Sequence, residues 1–271
     1  MTWLAVDVEV DADGLAEVED ALESAGAQSV TVEDAGDQAL LEPGPGEQPL
    51  WTAMRVRALF GDEHPALLRQ RLDHAGLGTR VTAIEPLAER DWTRAWMDAY
   101  QPMRFGPRLM IYPGHIEPPA VAEDVVIRLD PGLAFGSGTH PTTALCLQWI
   151  DGQDLAGAVA VDYGCGCGVL AIAMALCGAE RVYCVDHDEQ ALLATRDNAE
   201  RNGVADRMVA LTPNQPVPEP CDPVVANILS GPLVSLAPTF RELARAGCRI
   251  VLAGLLDEQA DSVCDAFEPW A

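Results

Sequence analysis

Residues 159–188, VAVDYGCGCGVLAIAMALCGAERVYCVDHD, constrain the fold of this chain more than any other stretch. The apolar run 159–161, bounded by turn-forming residues, predicts a buried strand. Three alternate glycines, Gly164, Gly166 and Gly168, then open a run with Leu170, Ala171, Met174 and Leu176, a spacing that predicts a helix. Gly178 ends that helix, and a second strand over 181–185 runs into Asp186, His187 and Asp188. A nucleotide fits across such a unit. Glycines let a ligand approach the backbone with no Cβ in the way, and a carboxylate about 20 residues on can accept from two ribose hydroxyls. Dinucleotide oxidoreductases and S-adenosylmethionine enzymes share this geometry, and Gly166, Gly168 and Ala171 also satisfy the loose oxidoreductase fingerprint. The glycines could also merely punctuate a strand–helix turn. The rest of the chain has to decide.

With 271 residues there is room for two domains and a substantial core. No apolar run approaches the ~20 residues of a membrane helix, and the start lacks the basic and apolar regions of a secretion signal, so a soluble cytoplasmic protein is expected. The eight cysteines all lie from Cys146 onward in apolar or glycine contexts, with no paired C-x-x-C framework. Reduced thiols and no metal are the expectation. A formal net charge of -25 argues against binding a phosphate backbone and for a basic protein partner. All 17 cationic residues are arginine. A GC-rich genome, or adaptation to high internal salt that screens acidic self-repulsion, would produce that balance.

Residues 1–85 read as a small separate domain. Strands are expected over 3–10, 28–33, 52–60 and 79–84 and helices over 15–25 and 64–75, the β-α-β-β-α-β order of a ferredoxin-like sandwich. It carries no visible chemistry. Residues 1–63 hold 15 acids against two arginines, a net of -13, which is either a solvated acidic surface or a docking face for a cationic partner. Residues 86–130 form a connector: a helix over 91–100 with Trp92 and Trp96 as a packing seam, an extended stretch over 101–113, and a strand over 125–129. Residues 130–143, DPGLAFGSGTHPTT, are too polar and glycine-rich for a plain link, and make a candidate site wall. His140, just before a proline, reads as a structural hydrogen-bonder rather than a base. Helices over 142–150, 189–202, 233–245 and 257–267 then alternate with strands over 208–211, 224–227 and 248–252. Ligands of open α/β sheets sit beyond the carboxyl ends of the strands, so Asn227 is expected near Gly164 and Asp186.

With Asp162-x-Gly-x-Gly-x-Gly, an acidic end to the second strand and a later strand ending in Asn227, residues 131–271 resemble a class I S-adenosylmethionine-dependent methyltransferase domain. Three longer strings, DPGLAFGSGTHPTT, VANILSGPL (225–233) and DWTRAWMDAYQPMRFG (91–106), closely resemble the PrmA family, methyltransferases of the eleventh protein of the large ribosomal subunit. The similarity runs over essentially the whole chain. It implies an α/β fold: a Rossmann-like class I methyltransferase domain preceded by a ferredoxin-like domain that grips the substrate. It also implies transfer of methyl groups from S-adenosylmethionine to lysine ε-amines and the N-terminal α-amine of that ribosomal protein, by a monomer.

By position within the matching motifs, Thr143, Gly164, Gly166, Asp186 and Asn227 would bind the cofactor, with Gly164 at its methionine part and Asp186 on its ribose. Asn227 would also orient the amine, and Phe135, Gly136 and Leu229 would wall its channel. Cys167 replaces the usual serine, and Asp188-Glu189 the common Asp-Pro. The antiparallel strand pair that closes domains of this class is missing after the last helix, which would leave strand 248–252 as an exposed edge. The tail after Asn227, Ile228-Leu229-Ser230, lacks the proline and aromatic residue of amide- and adenine-methylating relatives, which favours an aliphatic amine. Rival readings are a methyltransferase of another protein or a small amine, a cofactor-binding module without turnover, and an NAD-dependent oxidoreductase.

Overall fold

Met54, Val56, Ala58 and Phe60 alternate with Arg55, Arg57 and Leu59, the period of a half-buried strand. In the computed structural model, which describes residues 3–36, 38, 50–61, 63–87, 101–119, 124–129 and 140–268, β3 (Met54–Phe60) buries every second residue. It pairs antiparallel with β1 (Trp3–Val10) and β2 (Ser29–Asp34), and β1 pairs with β4 (Val81–Leu87), giving the order β2-β3-β1-β4. Helices α1 (Leu15–Ser24) and α2 (Pro65–His74) complete the β-α-β-β-α-β order. Their Val18, Leu22, Leu68 and Leu72 share one buried cluster with Val6, Met54 and Phe60. The sequence starts α2 clearly: His64 Nδ1 accepts from Ala66 N, and Pro65 takes the first position, where no N–H is needed. Elsewhere in the sheet the polar register positions pair instead, Arg57 forking onto Asp7 at 2.7 and 2.8 Å.

The chain divides into two compact units, Met1–Ala95 and Trp96–Ala271. The second holds five parallel strands, β8 (Val159–Tyr163), β9 (Arg181–Val185), β10 (Met208–Leu211), β11 (Val224–Asn227) and β12 (Ile250–Ala253), in the order β10-β9-β8-β11-β12. Among the described residues five helices accompany them: α3 (Pro141–Asp151), α4 (Val169–Leu176), α5 (Glu189–Arg201), α6 (Ser230–Leu243) and α7 (Ala260–Phe267). Successive residues of the central strands enter opposite cores: Ala160, Val182 and Cys184 pack with Ile172 of α4, while Val161, Tyr183 and Val185 pack with Phe240 of α6. Both faces are covered, which explains why β8 and β9 read as continuous apolar runs. The last strand, β12, stands at one edge of this sheet, as expected.

Residues 101–119 and 124–129 form more structure than a connector requires. β5 (Met103–Phe105) and β6 (Leu109–Tyr112) form an antiparallel pair, and β7 (Val125–Arg128) lies parallel to β6. All four residues of β6 are buried, and Leu109 and Ile111 share a core with Leu147 and Ile150 of α3. Helix α6 begins at Ser230 rather than residue 233, because Pro232 falls in the first turn, where proline costs no hydrogen bond. Asp257–Gln259 is a single 3-10 turn before α7, shortening the helix expected over 257–267. The expected helix 91–100 and loop 130–139, with Phe135 and Gly136, lie outside the described residues. Among the described residues no helix is long and apolar enough to cross a membrane.

Candidate active site

Strand register sets the site. Tyr163 is level with Val185 on one side and Ala226 on the other. The next residues, Gly164, Asp186 and Asn227, therefore lie at one level, at the carboxyl ends of β8, β9 and β11, Asn227 still paired with Ala253 of β12. The strand order also reverses here, with β9 and β10 to one side of β8 and β11 and β12 to the other. A crevice at such a reversal is where open α/β sheets bind ligands.

The glycine turn leaves β8 with φ of 78° at Gly164, 54° at Gly166 and 80° at Gly168, a region that costs other residues roughly 1–2 kcal/mol each. Gly164 and Cys165 both donate to the Val185 carbonyl, at 2.7 and 3.1 Å. A Cβ on Gly164 would collide with Cγ2 of Ile228, so that glycine's open side receives a neighbouring side chain. The turn is then fastened to the acidic end of β9: Gly166 N donates to Asp186 Oδ2 at 2.9 Å and Asp188 N to Asp186 Oδ1 at 3.0 Å. Each Asp186 oxygen keeps a further acceptor position. Asp188 caps α5, accepting from Gln190 N at 2.9 Å, so Asp188-Glu189 is a working helix start without proline.

Two residues that the sequence reading passed over hold this turn from the other side. Thr195 Oγ1 donates to the Gly166 carbonyl at 2.9 Å and Asn198 Nδ2 to the Cys167 carbonyl at 3.0 Å. Both are buried on α5. The available signal was two polar residues one turn apart on the apolar face that also carries Leu192 and Ala199.

Thr143 and Asn227 come from distant parts of the chain and meet. His140 caps α3, its Nδ1 accepting from Thr142 N at 3.3 Å and lying 2.7 Å from Thr142 Oγ1, a structural role as the sequence suggested. That start places Thr143 inside the first turn, 1% exposed, where its hydroxyl accepts from Asn227 Nδ2 at 3.0 Å. One of the amide's two N–H groups is thus engaged, and its carbonyl oxygen is the acceptor that the side chain offers. Leu229, just before α6, is 52% exposed.

Asp162 sits one residue before the end of β8, 1% exposed. Its Oδ2 accepts from Ala171 N, in the first turn of α4, at 3.0 Å, and its Oδ1 has no hydrogen-bond partner among the described residues. Burial pushes this carboxyl up, the Ala171 hydrogen bond opposes the rise and the charge of Asp186 adds to it, leaving it at about 7. Burial likewise pushes the thiol of Cys167 up to about 11 and that of Cys146 to about 12. Neither cysteine is in a disulfide, and both are buried as small packing residues.

A glycine turn at positive φ, a strand-end carboxylate with acceptor positions to spare and a buried carboxyl oxygen without a partner suit a ligand that carries a ribose and positive charge. An open parallel sheet with this site at its reversal point is the fold of a class I S-adenosylmethionine-dependent methyltransferase, and relatives of this chain decide for that class over a dinucleotide oxidoreductase. The family described as "Ribosomal protein L11 methyltransferase (PrmA)" matches residues 2–271. A ribosomal protein L11 methyltransferase of Marinobacter nauticus is 46% identical over 280 residues, covering 100% of this chain and 93% of the relative. One of Azotobacter vinelandii is 48% identical over 272 residues, covering 99% and 92%. The crystal structure of a ribosomal protein L11 methylase from Lactobacillus delbrueckii subsp. bulgaricus superposes with a TM-score of 0.58 at 29% identity, covering 63% of this chain and 88% of that one. The chain belongs to the ribosomal protein L11 methyltransferase family.

Proposed function

We propose that this protein methylates lysine ε-amino groups and the N-terminal α-amino group of ribosomal protein L11, with Gly164, Gly166, Asp186, Thr143 and Asn227 forming the cofactor site. The observation that carries this reading is the common level at which Gly164, Asp186 and Asn227 lie at the carboxyl ends of three neighbouring strands. Asp186, already fixed by two backbone N–H groups, offers its remaining acceptor positions to the ribose hydroxyls. When bound, S-adenosylmethionine would supply a methyl group on a sulfonium, open to in-line attack by a neutral amine with the thioether sulfur as the leaving group. Asn227, held through its N–H by Thr143, turns its carbonyl oxygen to the incoming amine and so orients the nitrogen lone pair. Such alignment is worth roughly 7 kcal/mol or more. A lysine amine titrates near ~10.4 and arrives protonated, so it sheds its proton to solvent before attack.

Leu229, half exposed and two residues after Asn227, lines the amine channel; Phe135 and Gly136, which the family resemblance assigns to the same channel, lie outside the described residues. Residues 1–85, which include the net charge of -13 found over residues 1–63, grip the basic ribosomal protein. The same charge disfavours direct contact with nucleic acid, and the enzyme works as a cytoplasmic monomer. Incubation with labelled S-adenosylmethionine and the proteins of the large ribosomal subunit tests the reading. Label on L11 supports it. Label on another protein overturns the substrate, and cofactor binding with no label anywhere makes the chain a binding module.

A further inference from the structure

Helix α5 buries Ala191, Leu192, Thr195, Asn198 and Ala199, and the two polar members of that set both face the glycine turn. A threonine inside a helix has a carbonyl of its own preceding turn within reach, so a hydroxyl that goes elsewhere marks a contact made by the fold. Thr195 sends its hydroxyl out of the helix, to the Gly166 carbonyl at 2.9 Å. The Cys165 thiol, 3.5 Å from Thr195 Oγ1, is left to donate to the same oxygen. The approach is close, since a Cβ on Gly168 would lie 2.9 Å from both Oγ1 and Cγ2 of Thr195. One turn along α5, Asn198 Nδ2 braces the next carbonyl of the turn, that of Cys167, at 3.0 Å.

Gly166 is therefore held at both ends. Its carbonyl accepts from Thr195, and its N–H donates to Asp186 Oδ2 at 2.9 Å, one of the two backbone bonds that orient this carboxylate. We infer that Thr195 is a positioning residue of the cofactor site: from α5 it fixes the Gly166 carbonyl, and through Gly166 it holds Asp186 in the orientation that receives the cofactor's ribose. The inference rests on the reading that Gly164, Gly166 and Asp186 form the cofactor site. A turn with three glycines has little stiffness of its own, because glycine populates many backbone conformations. A side chain that answers one of its carbonyls removes that freedom before the ligand arrives, and binding then has less ordering to do. Without the Thr195 hydroxyl the Gly166 backbone is free to turn, and Asp186 loses one of its fixed donors. Asn198 still braces Cys167 in that case, so the change stays local.

Calorimetric titration of the full chain with S-adenosylmethionine compares Thr195→Val, which keeps the branched shape and loses the hydroxyl, with Thr195→Ser, which keeps the hydroxyl. Thr195→Val should raise the cofactor Kd roughly fivefold, the effect of one lost hydrogen bond, and Thr195→Ser should stay within about twofold of the natural protein. A lower melting temperature of Thr195→Val with an unchanged Kd makes Thr195 a purely structural contact and overturns the inference. A double-mutant cycle with Asp186→Ala tests the route. In that background Thr195→Val should change the Kd by less than about twofold, whereas a full fivefold loss there means that Thr195 does not act through Asp186 and also overturns the inference. Should Thr195→Val not fold, Thr195→Ala measured against Thr195→Ser carries the same comparison. Failure of the site reading looks different: Asp186→Ala by itself would then bind the cofactor as tightly as the natural protein.

Discussion

The two large sheets of this protein treat polar side chains in opposite ways. In β3 of the N-terminal unit every second residue is buried, and the alternate positions are Arg55, Arg57 and Leu59, of which Arg57 pairs with Asp7 near the surface. In β8 and β9 four of five residues are buried, so a polar residue there has no solvated face to turn to. Asp162 on β8, Asn227 at the end of β11 and Asp186 just past β9 are such residues, and each is tied into the glycine turn or the start of α3 or α4. A charged residue in the first sheet is explained by water; one at the carboxyl edge of the second calls for a ligand.

Four substitutions probe that contrast, in descending order of expected effect. Asp162→Asn should matter most. The folded carboxyl lies at about 7 against 3.8 when unfolded, so between those values the folded state binds more protons and stability falls as pH rises. Thermal unfolding should therefore find the variant more stable above pH 7, on the order of 2 kcal/mol or more, and no more stable near pH 4. Parallel pH profiles would show that the buried sheet tolerates this carboxylate as an ion. Asp186→Ala should weaken S-adenosylmethionine binding by about 1–3 kcal/mol in calorimetry, and undiminished affinity would remove Asp186 from the site.

Gly168→Ala should cost about 1–2 kcal/mol in denaturant unfolding, since φ is 80° and the new Cβ would lie 2.9 Å from Thr195. A neutral result would mean that α5 yields at that point. Arg57→Ala, on the exposed pattern, should cost only about 0–1 kcal/mol at pH 7. The Arg57 hydrogen bond holds the carboxyl of Asp7 below its usual range against the opposing effect of burial. That contribution is present above the unfolded value and disappears as pH falls through the folded one, so the variant and natural curves should converge in acid. A larger effect would blur the distinction between the sheets.

Much of this was legible in the sequence because it follows from periodicity and turn chemistry. The alternation of β3, the glycine stops and the apolar runs of β8 and β9 give both sheets, and the rule that ligands sit beyond strand ends brings Asn227 to Gly164 and Asp186. Other features depend on contacts that no local pattern encodes. That Thr143 and Asn227 hydrogen-bond across 84 residues, or that Thr195 and Asn198 hold the glycine turn, emerges only when α3 and α5 pack on the sheet. The start of α6 at Ser230 was hidden because Gly231-Pro232 reads as a break, although proline is at home in a first turn. The meaning of Asp162 was hidden for a different reason: its burial and its unanswered oxygen are properties of the packed core.

A crystal structure of the full chain with S-adenosylhomocysteine tests the central claim most directly. The account predicts both ribose hydroxyls within about 2.5–3.0 Å of the Asp186 carboxylate, with the amino-acid part of the ligand at the glycine turn before Asn227. A ribose that makes no contact with Asp186, or a ligand bound away from the carboxyl ends of β8, β9 and β11, would contradict it.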